Sequence, residues 1–176
     1  MPEAGVYLAQ DRNPEYRHMT VLIQRTTEIH RPLGEVFAFV SDQRNDTQWR
    51  TGLHAARKLI PGEIRSGSLL RLFYAIPGRS LTARSRVTTF VTNREMEWEH
   101  FDQRPLLQEK RRVIPIDGGT RFTCTVTFNV GATKGIAGLL TALSIAFRLG
   151  TDVRRLKSVL ERTTSTDGEI TRVQFA

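Results

Sequence analysis

Apolar and polar residues alternate along most of the first 130 positions and then change to helical spacing. In residues 20–30, Val21, Ile23 and Ile29 share one side of a period-two pattern, which predicts a strand. Pro32 follows at a position suited to a first helical turn, and Leu33, Val36, Phe37 and Val40 then recur at helical spacing. Ser41 and Asp42 end this helix, and a second short helix is expected to run toward Trp49. Six β-rich runs come next, at 53–60, 68–76, 80–92, 95–101, 107–116 and 120–130. Pro61-Gly62, Pro77-Gly78, Asn93 and Asp117-Gly118-Gly119 separate several of them, as expected for consecutive antiparallel hairpins. From Thr133 the stripe Ile136, Leu139, Leu140, Leu143, Phe147, Val153, Leu156 and Leu160 predicts one long helix ending near Thr163. At 1.5 Å per residue such a helix is about 45 Å long, enough to cross a whole sheet.

The resulting order is one strand, two short helices, six strands and a long helix. An antiparallel sheet buries one face, and the last helix is the element long enough to cover it. The expected class is α+β: a seven-stranded antiparallel sheet wrapped around a long C-terminal helix, with two short helices after strand 1. A twisted sheet closing on a helix can leave an apolar space between them. Residues 1–18, polar and carrying Pro2, Gly5 and Pro14, read as an N-terminal extension; 19–164 is the folded domain, and 165–176 is a C-terminal tail. Ile23, Ile29, Phe37, Val126, Phe128, Leu143, Leu156 and Leu160 are expected in the core.

Parity assigns the inner face of each strand. Phe122, Cys124, Val126, Phe128 and Val130 oppose Arg121, Thr123, Thr125 and Thr127. Met96, Trp98 and His100 oppose Glu95, Glu97 and Glu99, and a one-residue slip would bury three carboxylates. Leu81, Ala83, Ser85, Val87, Thr89 and Val91 form the inner set of one strand, and Leu70, Leu72, Tyr74 and Ile76 that of another. Residues 107–116 permit two registers. One places Glu109 and Arg111 inside with Leu107 and Val113; the other places Gln108, Lys110 and Arg112 inside.

Composition narrows the classes. A chain of 176 residues with 39% hydrophobic and 25% charged residues can bury a substantial core, which excludes disorder throughout. The apolar stretch 135–149 contains Arg148 and is shorter than the roughly 20 residues a membrane span needs. No basic start precedes an apolar run at the N-terminus, so a cytoplasmic protein is expected. One cysteine, Cys124, allows no internal disulfide, and His18, His30, His54 and His100 show no metal-ligand spacing. The net charge of +8 raises nucleic acid and anionic membranes as partners. The basic residues are scattered and no nucleic-acid-binding motif accompanies them, so no specific nucleic acid is expected. Peripheral contact with a membrane through the basic surface and the 135–149 stretch is a third reading.

The order of elements, together with local motifs, resembles the START/Bet v 1-like superfamily, and within it the polyketide cyclase/dehydrase and lipid-transport group. The matching segments are Glu28-Ile-His-Arg-Pro-Leu-Gly-Glu-Val-Phe-Ala-Phe-Val-Ser-Asp42, Trp49, Asp117-Gly-Gly-Thr-Arg121 and Leu156-Lys-Ser-Val-Leu-Glu161. The resemblance implies a helix-grip fold with a cavity for a hydrophobic or aromatic small molecule, and no cofactor. Trp49, Leu72, Val87, Trp98, Phe122, Leu143 and Phe147 are the candidate ligand contacts. His100 is the candidate base, Tyr74 or Arg111 the carbonyl partner, and Glu109 the orienting acid, as a cyclase or dehydratase would use them. Each has a plainer alternative: a rim histidine, a surface phenol, an ion pair and core tryptophans. A non-catalytic carrier or sensor of lipids or similar metabolites needs the same cavity. Oligomeric state is not specified by these patterns.

Overall fold

A computed structural model of the protein describes residues 4–10, 19–76, 78–102, 107–129 and 136–170. The elements are β1 (Ala4–Gln10), β2 (Met19–Ile29), α1 (Leu33–Val40), a 3-10 turn (Asn45–Gln48), β3 (Leu53–Lys58), β4 (Leu69–Ile76), β5 (Arg79–Val91), β6 (Glu95–His100), β7 (Leu107–Ile116), β8 (Gly119–Asn129) and α2 (Ile136–Ile170). They form one antiparallel sheet in the order β1-β2-β8-β7-β6-β5-β4-β3. The β2–β8 pairing closes the meander onto the first strand of the expected seven. An eighth strand joins it: residues 4–10, expected as part of a polar extension, pair along β2 from Ala4↔Arg25 to Gln10↔Met19. The second short helix is a single 3-10 turn, and α2 continues through residues 165–170, past its expected end. The readings at Pro77, Val130 and residues 133–135 lie outside the described residues.

The local chemistry accounts for the turns. Asn93 takes a positive φ of 57° between β5 and β6, and Gly118 takes 73° between β7 and β8, a conformation that costs glycine little. A side chain at Gly119 would collide with the Ile29 carbonyl, so the end of β8 can pass this close to β2 only without one.

Alternation is confirmed on β6, where Met96, Trp98 and His100 are buried and the three glutamates are partly exposed. On β8, Phe122, Cys124, Val126 and Phe128 are buried. On β7 the first of the two registers is adopted, with Glu109, Arg111 and Val113 inside. β5 departs from its expected parity. A register irregularity between Val87 and Thr89 inverts the pattern beyond it. Val91 is therefore exposed, while Phe90 packs edge-to-face on Phe37 at 5.5 Å between ring centres.

Two apolar clusters fill the inner face. One joins β2, β7, β8, α1 and Trp49 to α2 through Ala142, Ala146, Leu149, Val153, Leu156 and Leu160. The other, on the β3–β6 half, contains Leu53, Leu70, Leu72, Ala83, Val87, Met96 and Trp98. The α2 stripe matches the expected one at Val153, Leu156 and Leu160 and is rotated from it over residues 142–149. Alanines at 142 and 146 face the sheet, where their small side chains admit a close backbone, so Leu143, one residue on, is turned about 100° away. Leu143 is 53% exposed and Phe147 75%, which corrects the expected burial of Leu143 and takes both side chains off the sheet-facing stripe.

Candidate functional site

The two apolar clusters meet at a buried group of charges. Arg111 on β7 is 1% exposed and lies over both indoles, 4.7 Å from the Trp49 ring centre and 4.2 Å from that of Trp98. Its guanidinium donates from Nη1 to Asp46 Oδ1 at 2.7 Å and from Nη2 to Asp46 Oδ2 at 2.5 Å, a bidentate pair. Nη1 also donates to the Val40 carbonyl at the end of α1 at 2.7 Å, and Nε donates to Glu109 Oε1 at 2.9 Å. Every nitrogen of Arg111 is thus engaged, and the arginine fastens the 45–48 turn to the sheet.

That fastening positions the next two residues. Arg50 pairs with Glu109 and stands 4.8 Å from the Trp49 ring centre. Thr51 donates its backbone N–H at 2.9 Å and its hydroxyl at 2.6 Å to Asp152 of α2. The loop carrying Arg50 is therefore held on one side by β7 and on the other by the long helix. Arg50 retains some contact with solvent, its side chain being 16% exposed where that of Arg111 is 1%.

Glu109 is the hub, accepting from Arg111 and from the Cys124 thiol at 3.3 Å while paired to Arg50. Burial acts to raise its pKa, but Arg50 and Arg111 outweigh it and hold the carboxyl down to about 2. Burial, with Glu109 beside it, pushes the Cys124 thiol well up, so it stays protonated as that donor. Tyr74 is partly exposed on the surface but desolvated at its phenol; burial raises it, leaving a neutral O–H. His100 occupies the inward position of β6 after Trp98, which itself pairs with Glu109. Burial lowers its imidazole to about 4, so the ring is neutral at physiological pH. Nearby, Ser85 donates to Gln43 Oε1 at 2.8 Å. Two buried donors, Gln43 Nε2 and Trp49 Nε1, have no acceptor among the described residues.

Of the residues singled out from sequence, His100, Glu109, Arg111 and Trp98 are buried on one face with Trp49, Leu72, Val87 and Phe122. Tyr74 joins them with partial exposure. Leu143 and Phe147 do not; they point to solvent. Strand parity could not find Asp46, Arg50 or Asp152, because the first two lie on a turn and loop and the third on a helix. A local signal for the first two exists in Asp46-x-x-Trp49-Arg50, an acid, an aromatic and a cation within one turn. Among the described residues no group of three or more His, Cys, Asp or Glu side chains is placed to hold a metal ion. A groove of about 330 Å³ lies on the opposite, outer face, lined by Gln24, Lys110, Arg112, Ile114, Arg121, Thr123 and Thr125. It shares no residue with the cluster.

An antiparallel sheet gripping a long C-terminal helix, with ionisable groups gathered on its inner face, defines a helix-grip protein of the Bet v 1-like class. The chain belongs to the polyketide cyclase/dehydrase and lipid transport family, whose model matches residues 20–161. Its fold is similar to that of the ZhuI aromatase/cyclase from Streptomyces sp. R1128, with TM-score 0.66 and 17% identity over 82% of this chain and 96% of that one. It is also similar to BexL, a di-domain aromatase/cyclase from the BE-7585A biosynthetic pathway, with TM-score 0.60 and 20% identity over 83% of this chain and 50% of that one. The Bet v 1-like protein Ara h 8.0201 matches with TM-score 0.61 and 10% identity over 80% of this chain and 97% of that one. No curated protein matches the chain in sequence.

Proposed function

We propose that the protein binds a hydrophobic or aromatic small molecule between sheet and long helix and acts on it as a cofactor-independent cyclase or dehydratase. The observation that carries this reading is the pairing of Arg50 with Glu109 beside Arg111, with Tyr74 and His100 close enough to feel those charges. A neutral imidazole can accept a proton, a neutral phenol can donate a hydrogen bond, and a guanidinium can stabilise an oxyanion. In the proposed step His100 takes a proton from a carbon beside a carbonyl, and Arg50 with Tyr74 stabilises the enolate oxygen. The enolate carbon then forms a bond to a second carbonyl carbon, whose oxygen takes the proton back from the protonated His100 and becomes a hydroxyl. Loss of that hydroxyl with a neighbouring proton releases water. A base held to about 4 is weak, so it suits a carbon acid activated by two flanking carbonyls, as in a poly-β-ketone chain. Arg111, with its donors committed to protein oxygens, is in this reading a positioning residue that holds Trp49, Arg50 and Glu109.

Turnover of a poly-β-ketone thioester by the purified protein tests the reading. His100→Ala is expected to reduce turnover by about 10²–10⁴-fold. Arg50→Met is expected to lower kcat and, because Arg50 is the more exposed arginine, to destabilise the fold less than loss of Arg111 does. A second reading, a non-catalytic carrier, is favoured by the engagement of every guanidinium nitrogen of Arg111 within the protein. A carrier retains a co-purifying apolar molecule in native mass spectrometry, and His100→Ala changes its affinity only modestly.

A further inference from the structure

We propose that the outward face of α2 between Leu143 and Arg162 docks the protein on an anionic lipid surface. The exposed positions of this stretch are Leu143, Ser144, Phe147, Arg148, Thr151, Arg154, Arg155, Ser158 and Arg162. At 100° per residue they fall on one continuous arc of roughly 140°. Its N-terminal end presents the apolar pair Leu143 and Phe147, one turn apart, at 53% and 75% exposure. The remainder presents four arginines and no acid.

The two acids of the stretch are directed elsewhere. Asp152 is buried against Thr51, and Glu161 is engaged by His30 and Lys157. The arc therefore combines an apolar wedge with fixed positive charge, the pairing by which an interfacial helix lies on anionic headgroups. No helix among the described residues is long and apolar enough to cross a membrane, so the contact is a surface one. A second copy of the chain is disfavoured as occupant, since a symmetric contact of these faces would set arginines against arginines. Nucleic acid would satisfy the arginines but leave Phe147 without an apolar partner.

Co-sedimentation of the full chain with phosphatidylcholine vesicles, with and without phosphatidylglycerol, tests the proposal. Binding is expected to vesicles containing phosphatidylglycerol and to weaken as salt is raised. Leu143→Ser with Phe147→Ser should lower the partition coefficient at least about tenfold. Arg148→Gln with Arg155→Gln should lower it by roughly fivefold per arginine. All four side chains are exposed, so unchanged thermal melting identifies these losses as surface effects. The proposal is overturned by equal binding to both vesicle types, by no binding, or by binding insensitive to the Leu143/Phe147 pair. It is also overturned by a native dimer in sedimentation that Phe147→Ser dissociates, which would give this face to a second copy.

Discussion

Lys110 and Arg111 are neighbours in β7 and carry the same charge, yet they do opposite things for the protein. Lys110 points outward and pairs with Glu95 at 3.2 Å and Glu97 at 2.7 Å, with 40% of its side chain exposed. Arg111 points inward, is almost fully buried, and bonds Asp46, Glu109 and a helix-end carbonyl while stacked between two indoles. Outside, water already solvates each charge, and forming the pair gains little. Inside, each charge depends on its partners, so the network tolerates no missing member. Both faces of this strand carry ion pairs; only the inner ones organise a site.

The sharpest way to break the comparison is Arg111→Met. Removing the cation leaves Asp46 buried without its bidentate partner and Glu109 with Arg50 alone, and urea unfolding is expected to show a loss of about 3–5 kcal/mol. A loss no larger than that of an outer-face pair would make the inner cluster merely decorative. The apolar side of the same face supplies the next test. Leu156→Ala, at a position with 0% exposure, should cost about 2–5 kcal/mol, whereas Leu143→Ala should stay within about 0.5 kcal/mol. Equal costs would mean that the α2 stripe has been assigned to the wrong face.

A pH series distinguishes burial from pairing. The unfolded chain protonates His100 near 6.5 and the native protein near 4, so the unfolded state binds more protons between those values. Stability is then complete above about 6.5 and declines as pH falls toward 4, by on the order of 3 kcal/mol. Glu109, held down to about 2 from an ordinary 4.5, adds a second decline with the same sign at lower pH. His100→Asn should abolish the first decline in a set of denaturation curves and keep the second. The smallest effect is expected outside: Lys110→Ala should cost at most about 1 kcal/mol, and added salt should reduce that further. A larger, salt-resistant loss would contradict the solvated reading of the outer face.

Much of this contrast was legible along the chain. The alternation of Glu95, Glu97 and Glu99 with Met96, Trp98 and His100 states both the period and the face, because reversing it would bury three carboxylates. The same logic placed Phe122 to Phe128 inside and put His100 with Trp98. It failed where one residue interrupts the period: the irregularity in β5 exchanges Val91 for Phe90, and no composition signal announces it. It also failed on β1, where the short apolar run Ala4–Gln10 sits among polar residues with Pro2 and Pro14 nearby and becomes a strand by pairing along β2. On α2 the excess of apolar residues over one stripe left its rotation open, and the close approach of Ala142 and Ala146 to the sheet decided it.

By itself, then, the sequence determined the strands from β2 onward, their antiparallel order, the long covering helix and the inward parity of most strands. These depend on nearest neighbours and on a side-chain period that any one segment displays. Tertiary structure decided which of the two β7 registers is used, and with it that Glu109 and Arg111 are inside. It also decided that Asp46, Arg50 and Asp152, from a turn, a loop and a helix, complete the cluster. The reason is electrostatic: a strand with charges on both faces has no inward preference of its own. Only partners that neutralise the buried set, brought from distant segments, make one register cheaper than the other.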